Sequence, residues 1–197
     1  MIARLLLLVL FLLPAGTPAA GVTPTAKVRW TVDQILAVLR NETLDWAGQK
    51  QQIEPIVDRT FDFRSMSQSV LATNWQKATP AERAQFVDYF SSYLQDTYMA
   101  RIQNYSDEYI RYGREDINNR GDRATVDTFI VGGGKEIPVT YRLRKNGNNW
   151  FAYDVVIEGQ SLVRNYRDVY SAIIRAEGIG GLLEDLRSGK TPPVKVP

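Results

Sequence analysis

Apolar residues recur every three to four positions from about Trp30 to Tyr105, mostly every second position from about Asp107 to Glu158, and every three to four again thereafter. The first spacing is that of a helix with one buried face, the second that of a half-buried strand. A chain whose period changes twice in this way is held to an α+β arrangement, with helical segments before and after an antiparallel sheet. Val32, Ile35, Leu36 and Leu39 predict a first amphipathic helix. Ile53, Ile56 and Val57 predict a second with Pro55 in its first turn. Phe63, Met66 and Val70 predict a short third behind the cap Asp62. The best-marked start is "TPAERAQFVDYF", where Thr79 and Glu82 have capping-box spacing and Pro80 stands where a missing N–H costs nothing. Phe86, Phe90, Tyr93, Leu94 and Thr97 then share one face, and this helix is expected to run past Met99.

Three or four antiparallel strands follow. "RATVDTFIV" leads through Gly132, Gly133 and Gly134 into "EIPVTYRLR", and Asn146-Gly147 turns the chain into "NWFAYDVVI". Ile137, Val139, Tyr141 and Leu143 alternate with Pro138, Thr140, Arg142 and Arg144, which gives one apolar and one wet face. The hairpin register leaves open whether Phe151, Tyr153, Val155 and Ile157 join the apolar face. The strand carrying them is apolar on both sides and is expected to be central or covered. Gly159 then ends it and Ser161 caps a helix whose stripe is Leu162, Val163, Tyr166, Val169, Tyr170, Ile173 and Ile174. Arg164, Asn165, Arg167, Asp168 and Arg175 fall on the opposite side. Such a helix folds back over a curved sheet.

What the chain lacks narrows its chemistry. It contains no histidine and no cysteine. That excludes Ser-His and Cys-His nucleophile pairs, imidazole or thiolate metal sites, disulfides and an acylated cysteine. Carboxylate, lysine or tyrosine chemistry survives. The first twenty residues, "MIARLLLLVLFLLPAGTPAA", hold one Arg, an apolar run from Leu5 to Leu13 too short to span a bilayer, then small residues and prolines. They read as a secretory signal cut near residues 19 to 21, with an uncleaved anchor as the alternative. Residues 21–197 remain, roughly 175 residues, the size of a single domain. Arg4 is the one charge in the signal, so the 24 basic and 22 acidic side chains leave the exported part close to neutral. Nucleic-acid binding is not indicated.

Two strings look like ligand loops and are not. "GGGK" lacks the spacing and the Ser/Thr of a phosphate loop and joins two strands. "DINNRG" puts Arg120 where a calcium loop needs an oxygen, and its twelfth position is Asp127. Tyr89, Tyr93, Tyr98, Tyr105, Tyr109 and Tyr112 crowd the end of one helix and the strand after it. At helical spacing an aromatic stripe is ordinary core; the alternative is that some rings line a cavity for an amphipathic ligand.

"NWFAYDVVIEGQSLVRNYRDVYSAIIRAEGIGGLLEDLRS", taken with the exported N-terminus and "TPAERAQFVDYFSSYLQDTY", resembles the periplasmic phospholipid-carrier family known as MlaC or toluene-tolerance auxiliary protein. Trp150, Tyr153, Asp154, Gly159, Ser161 and Tyr166 match its most recognisable string; Gly178, Gly181 and Leu182 match its C-terminal turn and helix. The resemblance spans roughly residues 30 to 190. It implies a nuclear-transport-factor-2-like curved antiparallel sheet, covered by a helical N-terminal segment and C-terminal helices, that encloses glycerophospholipid tails. It also implies a monomeric periplasmic shuttle with no cofactor beyond its lipid cargo and no enzymatic reaction. Its partners would be an inner-membrane ABC transporter with a substrate-binding hexamer and an outer-membrane lipoprotein-porin complex, in retrograde traffic that maintains outer-membrane lipid asymmetry.

At roughly 0.8 kcal/mol per methylene, exposing a tail of about sixteen carbons to water costs on the order of 12 kcal/mol, so a carrier must enclose its tails, in a cavity of roughly 1,000 Å³. The lining expected is Val139, Tyr141, Leu143, Val155 and Ile157 on strands, facing Phe90, Leu94, Val163 and Tyr166 on helices. Each suits an ordinary core equally well. The rival is a small-ligand isomerase or dehydratase on the same fold with Asp154 as its base and a nearby Tyr as donor. A protein-interaction module with a filled core is the third reading. Two arginine groups, Arg111, Arg114, Arg120 and Arg123, and Arg164, Arg167 and Arg175, are candidate docking charges.

Overall fold

The structure is a computed structural model that describes residues 22–103 and 108–191. The expected export signal, its cleavage region and Tyr105 lie outside the described residues. The elements are α1 (Pro24–Leu39), α2 (Trp46–Asp58), α3 (Phe63–Leu71), α4 (Thr73–Lys77) and α5 (Pro80–Ile102), then β1 (Tyr109–Ile117), β2 (Arg123–Gly132), β3 (Lys135–Asn146), β4 (Asn149–Ile157) and the two-residue β5 (Gln160–Ser161), and last α6 (Leu162–Arg187). The strands form one antiparallel sheet in chain order.

Caps set most of the helix starts. Thr23 caps α1 with Pro24 at its first position, so this helix opens six residues before the predicted Trp30. Asp45 accepts from the Gly48 amide at 2.8 Å and starts α2 at Trp46. Pro55 therefore sits near the end of α2 and not in its first turn, as the sequence had suggested. The cap outweighs proline's local preference, and one backbone hydrogen bond is forgone. Asp62 caps α3 through the Ser65 amide at 2.9 Å. Thr79 and Glu82 close the predicted box in both directions, at 2.8 and 3.2 Å. Between α3 and α4 the chain breaks at Ala72, whose φ of 50° and ψ of −120° lie where glycine is the usual occupant.

Two bulges bend the sheet. In β1 the register slips between Tyr112 and Glu115; in β3–β4 it slips between Arg142 and Leu143, which pair with Asp154 and Ala152 and leave Tyr153 unpaired. The second bulge answers the open question of register. Val155 and Ile157 pair with Tyr141 and Val139 and share their face, while Phe151 pairs with Arg144 on the other. Beyond the bulge, Ala152 takes the place beside Leu143. The far edge of β4 is covered, as expected for a strand apolar on both sides. The Asp62 amide donates to the Ala152 carbonyl and the Ala152 amide to the Thr60 carbonyl, both at 2.8 Å.

One face of the sheet is covered by helices in two portions. Val28 of α1 packs on Ala124, Val126, Leu143 and Trp150. α3, α5 and α6 cover Val139 and Val155, with Ile130, Ile137 and Ile157 partly buried beside them. Tyr141 touches both portions. The other face carries Arg142, Arg144 and the cross-strand pair Thr140 and Asp127, whose hydroxyl and carboxylate are 2.7 Å apart.

Candidate functional site

The larger portion is built from two aromatic helix faces against the sheet. On α5, residues 86 and 90 are one turn apart, and so are 166 and 170 on α6, so each pair of rings projects from a single face. Phe86 and Phe90 stack at 5.4 Å. Phe90 meets Tyr166 edge-on at 5.3 Å, Phe86 meets Tyr170 at 6.0 Å, and Tyr93 meets Tyr166 at 6.0 Å. Edge-to-face packing of this kind adds to simple area burial. Eight of the nine nominated residues, Phe90, Leu94, Val139, Tyr141, Val155, Ile157, Val163 and Tyr166, meet in this cluster. Leu143 does not face these helices. Two residues beyond Tyr141 on the same strand, it is fully buried beneath α1. Phe86, Tyr93, Tyr170 and Met66 complete the wall; the three- and four-residue spacing of the rings was the signal for the first three, and Met66 follows Phe63 at helical spacing on α3.

The wall is apolar but holds phenol hydroxyls, and α3 carries a buried hydroxyl next to Met66. Ser67 and Tyr170 are fully buried, and their side-chain oxygens have no hydrogen-bond partner within the protein. Burial pushes the Tyr170 phenol far above its ordinary value, with nearby Tyr93 adding to the effect. Tyr166 is raised in the same way, first by burial and then by Tyr98, Tyr93 and Tyr170. Burial, with a smaller push from Tyr112, raises the Tyr141 phenol to about 12. All three stay neutral at physiological pH.

Among the described residues, two of the surface grooves stand out, and none of the nine nominated residues lines either. One of about 300 Å³ runs along the seam between α5 and the C-terminal part of α6, lined by Glu82, Gln85, Tyr89, Gly180, Leu183 and Arg187 among others. The second, about 290 Å³, lies between Phe61, Phe63 and Phe151 beside the Arg144–Asp62 ion pair.

Asp154 is placed as an anchor. Its carboxylate accepts from Arg142 Nη1 at 3.0 Å, Ser161 Oγ at 2.7 Å and the Val163 amide at 3.1 Å. These contacts tie β3, β4 and the start of α6 together and occupy the oxygens that a general base would offer to a substrate. Ser161 passes the connection on by capping the Arg164 amide at 3.1 Å. Among the candidate docking charges, Arg111 pairs with Glu136 and Arg114 with Asp116, each at 2.6 Å. Arg167 is half-buried instead of lying on the polar side, and its Nε donates to the Ser69 carbonyl at 2.8 Å, pinning α6 to α3. Arg164 and Arg175 are exposed. Among the described residues, no group of three or more acidic side chains is placed to hold a metal ion, and no helix is long and apolar enough to cross a membrane.

The family model described as MlaC protein matches residues 29–188. The chain belongs to the MlaC family. This is the family that the strand-corner-helix string and the C-terminal glycines resembled. The MlaC-family chain is 25% identical over 181 residues to the Toluene tolerance protein ttg2D of Pseudomonas putida, a match covering 89% of this chain and 83% of that protein. Its fold is similar to that of the phospholipid-binding protein from Ralstonia solanacearum, solved in complex with a phospholipid. The TM-score is 0.74 at 27% identity, over 83% of this chain and 94% of the other.

Proposed function

We propose that this MlaC-family protein binds a glycerophospholipid between α5, α6 and the sheet and carries it, as a soluble periplasmic monomer, between the outer and inner membranes to maintain outer-membrane lipid asymmetry. The observation that carries the reading is the phospholipid held by the Ralstonia solanacearum relative, whose chain is matched nearly end to end. The aromatic wall supports it, because rings with apolar bodies and neutral phenols suit acyl chains and the ester oxygens that join them. Ser67 Oγ and Tyr170 Oη are donors without a protein acceptor, and an ester carbonyl is an acceptor of the right kind. Cargo passes at one end to an outer-membrane lipoprotein-porin complex and at the other to an inner-membrane ABC transporter with its substrate-binding hexamer. The reading involves no reaction, and the candidate base of the enzyme rival, Asp154, is committed to Arg142, Ser161 and Val163.

Organic extraction of the purified protein followed by mass spectrometry tests the proposal. A stoichiometric glycerophospholipid is the expected result. A preparation that carries none, and takes none up from phospholipid vesicles, overturns it.

A further inference from the structure

The C-terminal glycines of the family string have so far no role. α6 is two helical segments that meet at Gly178, where φ is 74° and ψ is 178°. That conformation suits glycine and is strained for any side chain. Gly181 is fixed for a different reason, since a Cβ there would stand 2.4 Å from the Cβ of Glu177. Around Gly178 itself nothing lies within 4 Å of the position a Cβ would take, so the joint has room to turn. With Gly180, three of four consecutive residues are glycine, the residue with the most backbone freedom.

Beyond the joint, the arm Ile179–Arg187 contributes Leu182, Leu183 and Leu186 to the same cluster as Phe86, Phe90 and Tyr170. Its hold on the rest of the molecule is mainly apolar. Among the described residues its side-chain hydrogen bonds are internal, Arg187 with Glu184 at 2.7 and 2.8 Å and, just past its end, Ser188 Oγ with the Glu184 carbonyl at 2.8 Å, while across the groove Arg187 also feels the phenol of Tyr89. The groove of about 300 Å³ lies along the line where this arm meets α5. The opposite end of α6 is held by a buried carboxylate and by the Arg167 bond to α3.

We propose that the seam between α5 and this arm is the portal by which acyl chains enter and leave the aromatic wall, with Gly178 as its hinge. The inference rests on the carrier reading. Swinging the arm about Gly178 uncovers the α5 and α6 rings while the sheet and the first four turns of α6 stay in place. An acyl chain then covers the surface that the three leucines leave, so apolar contact is exchanged and not lost.

The chain has no native cysteine, so a bridge can be placed cleanly. Gln85→Cys and Gly180→Cys put thiols on the two sides of the groove, and a side chain at 180 meets nothing within 4 Å. A short cleavable thiol cross-linker joins them. The readout is uptake of phosphatidylethanolamine carrying a fluorescent acyl chain, from vesicles of phosphatidylethanolamine and phosphatidylglycerol. Bridging is expected to slow uptake at least tenfold, and cleaving the bridge to restore it. Equal uptake with and without the bridge overturns the portal and leaves the carrier intact. No uptake by the unmodified protein overturns the carrier reading and the portal with it. Hydrogen exchange on the unmodified full chain gives a second check. The amides of residues 179–187 are expected to exchange faster than those of residues 166–176, and equal protection of the two overturns the hinge.

Discussion

Replacing Asp154 by alanine separates an anchor from a catalytic base. The side chain is 4% exposed, whereas its partner Arg142 is 45% exposed. Loss of the carboxylate therefore costs little on the arginine side, because the guanidinium rehydrates, and an ion pair of that exposure contributes about 0–1 kcal/mol. The larger cost falls on the Val163 amide, which is buried at the first turn of α6 and loses its acceptor, at about 1–3 kcal/mol. With the Ser161 hydroxyl released as well, the expected destabilisation is about 2–4 kcal/mol. For a domain of this length that lowers the melting temperature by roughly 5–15 °C. Asp154→Asn keeps an oxygen for the Val163 amide and is expected to cost about 1 kcal/mol, with co-purified lipid retained. The assay is thermal and urea unfolding of both variants beside wild type. An alanine variant melting within about 2 °C of wild type refutes the anchor argument.

Three further outcomes follow from the geometry. The Tyr141 phenol is pushed up to about 12 by burial, so the folded state holds this proton more tightly than the unfolded state does; the stabilisation is complete below about pH 10 and is lost as pH rises through about 12. Urea unfolding from pH 9 upward is expected to show Tyr141→Phe losing less stability than wild type, by up to about 1.4 kcal/mol per pH unit, and parallel curves would contradict this. Ala72→Gly is expected to raise stability by about 1 kcal/mol in calorimetry, as strain of about 1–3 kcal/mol at φ 50°, ψ −120° is relieved against glycine's own entropy; an unchanged or lower melting temperature argues against strain there. Val155→Trp, within the aromatic cluster, is expected to melt within a few degrees of wild type and lose most co-purified phospholipid, whereas Leu143→Trp, under α1, overpacks a core at about 1–3 kcal/mol and leaves lipid content unchanged. If the two variants behave alike, the division of the sheet face into two portions has no functional meaning.

How far the fold could be read from the chain depends on how local each determinant is. Thr79 with Glu82, Asp62 with Ser65 and Ser161 with Arg164 act within three residues, and all three caps formed where the sequence placed them. The hairpins at Gly133-Gly134 and Asn146-Gly147 are equally local, and both joined the strands expected. Pro55 was misplaced because the cap that starts its helix, Asp45, stands ten residues earlier and carries no apolar periodicity of its own. The parity of β4 was undecidable from alternation, because the bulge at Tyr153 satisfies Asp154 through Arg142 on another strand and Val163 on a helix. Leu143 and Tyr141 look alike in sequence. What separates them is the position of α1, more than a hundred residues upstream, which no spacing within the strand encodes.

The same division, local order against distant contact, bears on how α6 works. Its first turn is fastened three ways, by the Ser161 cap, by Asp154 and, one turn on, by Arg167 on the α3 carbonyl. Among the described residues, its last turns are held across the seam mainly by apolar side chains, Ile179, Leu182, Leu183 and Leu186. Polar anchors have directional partners and resist sliding, whereas apolar contacts accept any apolar surface in exchange. A helix pinned by the first kind at one end and held by the second at the other, with Gly178 between them, can uncover the aromatic wall without disturbing the sheet that supports it. At the proposed portal, a hydrocarbon cargo would supply the replacement surface. Opening of that proposed portal is coupled to a lipid chain or an apolar acceptor at the seam, with the closed arrangement favoured in water alone.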